Sequence, residues 1–136
     1  MNHYFVYHNE RRMKATIQDI GLLRGVTNNP VDGVNGGMAW VISGTDAGTN
    51  SKRYYLSAFF IIRRELPGSW PYPEFANAIE GDDSTGMILK TPIEVTKEPW
   101  LPALRHDTNN FYGFQKITAT SVIRGLQETI KPLWPR

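Results

Sequence analysis

Short runs of apolar and aromatic residues, broken by Gly, Pro and Asn clusters, set the pattern of this chain, and most of the runs read as strands. "HYFVYHN" (3–9) opens with β-favouring aromatics and Val bounded by Asn, and predicts a strand. In "ERRMKATIQDIG" (10–21), Met13, Ile17 and Ile20 recur at helical spacing between Asn9 as an N-cap and Gly21 as a stop, predicting a short helix. "LLRGV" reads as a strand, and "TNNPVDGVNGG" as a long loop. "MAWVISG" and "RYYLSAFFIIRREL" are the clearest strands, and the polar link "TDAGTNSK" pairs them as an antiparallel hairpin.

Within the second strand of that hairpin, Leu56, Ile62 and either Ala58 or Phe60 share a face by parity. Apolar residues fill the other face too, so the strand should be central or strongly curved. "PEFANAIEGDD" predicts a two-turn helix with Pro73 at its start, Phe75 and Ile79 on one face and Gly81 at its stop. "GMILKTPIEVTK" predicts a strand that is broken, or lies at a sheet edge, at Pro92. "EPWLPALRHDTNNFYGFQK" reads as a loop. The last element is an amphipathic helix in "TSVIRGLQETIKPLW", with Ile123, Leu126, Ile130 and Leu133 inward, Thr118 or Thr120 as cap and Pro132 as stop. Five or six strands and two or three short helices, with no regular βαβ alternation, predict a single α+β domain over 1–136: a small, mixed, strongly curved β-barrel.

Composition narrows the function classes more than it picks one. A 40% hydrophobic and 12% aromatic chain of 136 residues can close one core. Fifteen basic against 13 acidic residues leave a net charge of +2, which allows a local basic patch and not a polyanion-coating surface. The lack of cysteine excludes disulfides, thiolate zinc sites and thiol catalysis, and fits a reducing cytoplasm. No segment has the apolar core of a signal peptide or the roughly 18 apolar residues of a membrane span, so a soluble, cytoplasmic protein without a membrane partner is expected.

Several constellations invite chemistry. His3 and His8, five apart on a strand, face opposite sides and make a poor metal pair, so no metal site is expected. His106 beside Asp107 would suit a general base and its partner, although no Ser or Cys stands in a nucleophile elbow. "GTDAGTNSK" lacks the ending of a phosphate-binding loop. Asp82 or Asp83 with Glu94 and Lys97 of "IEVTK" invites comparison with a metal-dependent nuclease core, but residues three apart on a strand point to opposite faces. Trp40, Phe59 and Phe60 read as core. The aromatics of "SWPYPEF" and "NNFYGFQ" sit in loops, where they either plug the fold or line a pocket suited to a flat heterocycle. Lys52, Arg53, Arg63 and Arg64 fence the long strand at its two ends, roughly 33 Å apart if it is extended.

The first strand "HYFVYHN" leading to a short helix, the central hairpin and the closing "FYGFQKITATSVIRGL" together resemble the PUA-like superfamily. Its EVE, YTH and SRA-type branches are small barrels that hold a modified or flipped base in an aromatic pocket. The resemblance implies a nucleic-acid-binding domain, for DNA in preference to RNA, with no cofactor and no catalytic residue. Stacking would come from Trp40, Trp70 or Tyr72, and polar contacts from Asp32, Asn28 or Asn29. Arg11, Arg12, Lys52, Arg53, Arg63 and Arg64 would hold backbone phosphates. Two other readings are a small enzyme using His106 and Asp107, and a protein-interaction or regulatory module.

Overall fold

A computed structural model describes residues 1–9, 17–46, 52–67, 75–109, 111 and 113–133, which form a small α+β fold made mostly of sheet. The described elements are β1 (His3–Asn9), α1 (Ile17–Ile20), β2 (Arg24–Thr27), β3 (Met38–Asp46), β4 (Lys52–Ile61), β5 (Arg64–Pro67), β6 (Asn77–Glu80), β7 (Gly86–Glu94), α2 (Leu101–Asp107), β8 (Phe114–Ile117) and α3 (Thr120–Ile130). A five-stranded sheet has the order β7-β4-β3-β1-β8, and a three-stranded sheet the order β2-β6-β5. Within the first, β1 and β3 run parallel and the other neighbours antiparallel. None of the described helices is long and apolar enough to cross a membrane.

Alternation along β1 and β3 explains the layering. Phe5, Trp40 and Ile42 face α2 and α3, where Leu104, Val122 and Leu126 complete one core. Tyr4, Val6, Ala39 and Val41 face the other way, onto Ile17, Val31, Val34 and Ile79. The five-stranded sheet is therefore buried on both sides, helices on one and the smaller sheet, α1 and the 28–37 loop on the other. The parity argument for β4 needs correcting. A register shift between Leu56 and Ala58 puts Leu56 in the helix-side core, while Ala58, Phe60 and Ile62 stay on the far side. The strand is flanked by β3 and β7, as a strand apolar on both faces requires.

The two sheets are joined by one bent ribbon. Only Ile62 and Arg63 separate β4 from β5, and the facing strand crosses from β6 to β7 through Gly81–Thr85. Ile61 N–H donates to the Thr85 carbonyl and Arg63 N–H to the Glu80 carbonyl, so hydrogen bonding continues round the corner. A side chain at Gly81 would meet the Phe60 ring at 2.7 Å, and one at Gly86 would enter the β4 backbone. Glycine permits this close approach. Among the described residues no ladder joins the remaining edges, and the sheets do not close into a barrel.

Three elements differ from the sequence expectation. Residues 77–80 form β6 and not a helix, because Ala78 and Ile79 are fully buried toward different cores and their backbone pairs with β2 on one side and β5 on the other. The stretch expected as a loop before the last helix contains α2 and β8. That gives eight described strands against the five or six expected. Finally, α3 buries Val122, Leu126 and Ile130, while Ile123 is half-buried and Leu133 is 45% exposed. No threonine side chain caps it; Ala119 holds the cap position. The start of the first expected helix, including Met13, lies outside the described residues, but its stop is as expected. Gly21 takes φ 70° and donates its N–H to the Ile17 carbonyl. Pro92 lies in the edge strand β7, also as expected.

Candidate functional site

β1 and β3 bring His3 and Trp40 to the same face at one end of the five-stranded sheet. Trp40 Nε1 donates to His3 Nδ1 at 3.0 Å, with ring centroids 6.1 Å apart and planes 15° from parallel. That separation suits an in-plane N–H···N contact between neighbouring rings, so indole and imidazole lie edge to edge in nearly one plane. Phe59 packs against Trp40, tilted by 37°. His3 and Trp40 line an open groove of about 610 Å³, within the size range of small-molecule sites. Ile61, Ser84 and Thr85 of the ribbon corner form one wall, and Gln127, Glu128 and Lys131 from the end of α3 form another. Trp40 is 1% exposed and His3 7%, which makes the imidazole the more accessible part of the floor.

The electrostatics of this groove are mixed. Burial, and then the positive charge of the N-terminus, hold the His3 pKa below its ordinary 6.5, so the ring is neutral at neutral pH. Lys131 and Glu128 are exposed on the rim. Arg63 donates to the Ser84 hydroxyl at 3.3 Å and stands 3.9 Å from Asp82, placing a cation beside the ribbon wall. Asp82 accepts from the Ser84 hydroxyl and amide; these bonds and the Arg63 charge outweigh slight desolvation and keep its pKa low.

Comparison with protein-family models and with curated proteins returns no match.

A second depression, of about 650 Å³, lies at the opposite end of β4 and is lined by Lys52, Arg53, Glu94, Thr96, Lys97 and Glu98. It brings together Glu94 and Lys97, which strand alternation alone would send to opposite faces. The reason is that β7 ends at Glu94 and the chain then turns, with Val95 N–H donating to the Tyr54 carbonyl and the Thr96 hydroxyl accepting from Tyr54 N–H. Two carboxylates and three cations share this surface, and among the described residues no cluster of three or more His, Asp or Glu is suited to a metal.

Of the residues expected to form a base pocket, Trp40 is in the groove. Asn28, Asn29 and Asp32 are not with it. Their loop packs Val31 and Val34 on the other side of the main sheet, where the Asn28 side-chain Oδ1 accepts from Ala76 N–H and the Asn29 side-chain Nδ2 donates to the Phe114 carbonyl at 2.8 Å. These asparagines brace strands and turns, and Asp32 is exposed beside them. Trp70, Tyr72, Arg11 and Arg12 lie outside the described residues. Lys52 and Arg53 belong to the second depression, with the Lys52 ammonium 5.5 Å from the Tyr7 ring centre. Arg64 is spent on Glu80, which also pairs with Arg24. The hydrogen bond from Arg24, then that from Arg64, holds the Glu80 pKa low against a smaller desolvation effect.

Among the described residues, no hydrogen bond joins His106 to Asp107. His106 is exposed near the end of α2. Asp107 instead accepts from the Thr118 hydroxyl and from the Thr118 and Ala119 amides, clamping the entry to α3. Desolvation pushes its pKa up, but these three bonds and the nearby His106 charge together outweigh it, and the net shift is downward. Phe111 is a plug. It is buried at φ 60°, packs on Tyr54 and Phe5, and lies under the Arg105 guanidinium at 5.2 Å. Sequence reading missed His3, Ser84, Gln127 and Lys131 as groove residues, because they come from separate segments with no shared spacing.

Proposed function

We propose that this protein is a nucleic-acid-binding domain whose groove over Trp40 and His3 accepts a base, with DNA as the preferred class. The observation that carries the proposal is the flat His3–Trp40 pair at the base of a groove of about 610 Å³, with the imidazole as its more exposed ring. A planar heterocycle is the ligand shape that such a floor complements. Arg63 and Lys131 near its mouth supply cations for the adjoining phosphates. Lys52 and Arg53 would engage the same strand only if it ran the length of β4, roughly 30 Å away. The bent ribbon through Ile62 and Arg63 carries one curved wall from the larger sheet into the smaller, which supports a PUA-like layout with the two sheets left open. Binding and not turnover is the activity proposed, since Asp107 is committed to α3 and not to His106.

Fluorescence anisotropy against plain and base-modified duplex DNA, single-stranded DNA and RNA, each at two salt concentrations, tests this. Affinity should fall with salt as phosphate contacts require. Arg63→Glu should weaken binding, and Gln127→Trp, which fills the groove from an exposed position, should weaken it at least tenfold. An absence of binding to every probe at low salt overturns the proposal.

A further inference from the structure

Resting on that reading, we infer that His3 reads the edge of the bound ring with a fixed Nε2–H donor, so the groove selects bases presenting an exocyclic carbonyl oxygen there over bases presenting an amino group. The argument starts from the indole, which carries a hydrogen-bond donor and no acceptor. Because Trp40 Nε1 donates to His3 Nδ1, that nitrogen accepts and carries no proton. The neutral imidazole therefore has its proton on Nε2. Among the described residues Nε2 makes no hydrogen bond, and His3 is the more exposed ring of the groove floor.

Nothing in this arrangement lets the imidazole reverse its role cheaply. Moving the proton to Nδ1 would set two N–H groups against each other and leave the nearly buried Trp40 donor without its acceptor. Full protonation has the same consequence, and it is opposed by burial and by the N-terminal charge, with Lys131 a further cation on the groove rim and Glu128 the carboxylate facing them. A bound amino group would meet Nε2–H donor to donor, whereas a carbonyl would complete its hydrogen bond. Such a polar contact discriminates far more sharply than added apolar surface does.

The test pairs a spectrum with a competition. Long-range ¹H–¹⁵N spectra of the histidine-labelled protein at neutral pH should show Nε2 protonated and Nδ1 bare for His3; the opposite tautomer overturns the inference. Oligonucleotides identical except for one uracil or cytosine, and one hypoxanthine or adenine, should then bind with at least about a tenfold preference for uracil and hypoxanthine, which carry oxygen where the others carry an amino group. His3→Gln, whose amide can accept from Trp40 and still donate, should keep that preference. His3→Leu should lose the preference and also bind both members of each pair more weakly, because the imidazole is part of the floor, with thermal melting confirming the fold. Equal affinity for both members of each pair overturns the role of His3 but leaves base binding standing. Binding to none of them removes both.

Discussion

Gly125 shows how one residue can fix the contact between two helices. It lies on α3 directly against the indole of Trp100, where an added methyl would collide with the ring at Cδ1, Nε1 and Cγ. Alanine would ordinarily favour a helix over glycine by about 1 kcal/mol. Here that gain meets overpacking against a residue that is 6% exposed and holds the cap position of α2. Gly125→Ala should therefore destabilise the protein by about 1–3 kcal/mol in denaturant melts. A rise in stability would show that Trp100 can move aside and that the helices are not locked together there. Asp107 teaches a related lesson at the same scale. Its neighbour in sequence suggested chemistry, but its neighbours in space are the backbone and side-chain donors at the start of α3.

At the scale of elements, the hydrogen-bond ladder between β4 and β7 is interrupted and then repaired. Leu56 faces Ile93 and Ala58 faces Ile88, so two steps along β4 are matched by five along β7. Gln18 of α1 reaches into this break, its side-chain amide donating to the Leu89 carbonyl at 2.8 Å. Gln18→Ala should cost about 1 kcal/mol, and should speed hydrogen exchange in β7 ahead of the other strands of that sheet. Unchanged exchange there would mean the contact contributes little. The β3 and β4 hairpin was legible in the sequence because long runs of aromatic and β-branched residues admit few other structures. β6 was not, since "NAIE" between Pro73 and Gly81 carries helix-like punctuation, and only its pairing with β2 and β5 makes it a strand. α2 was missed because Pro102 reads as a breaker, yet in the first helical turn its missing N–H costs no intrahelical bond. β8 is four residues long and gains its identity from pairing with β1.

For the molecule as a whole, the candidate site was legible only through Trp40. Its companions His3, Ser84, Gln127 and Lys131 are assembled by topology, which no local pattern encodes. Charge placement across the layers yields a prediction of the same scale. Glu80 of the small sheet and Asp107 beneath α3 have carboxyls held below their unfolded values. A group depressed in the folded state contributes stability above its unfolded pKa and loses it as pH falls through the folded one. Both contributions are therefore present at neutral pH and disappear below about pH 4. His3 adds an earlier loss. Its folded pKa is also depressed, so stability falls as pH drops below 6.5 toward that lower value, where the unfolded chain takes up the proton first. Urea melts at pH 7, 5 and 3 should show stability declining across both intervals. Glu80→Gln separates the two. Its side chain is 20% exposed and that of Arg24 16%, so losing the carboxylate leaves a largely enclosed guanidinium with a weaker acceptor. The variant should lose about 1–3 kcal/mol at pH 7, and the deficit should shrink as acid protonates the native carboxyl. A deficit that persists unchanged in acid would show that Glu80 acts through packing and that the ion pairs with Arg24 and Arg64 contribute nothing to stability.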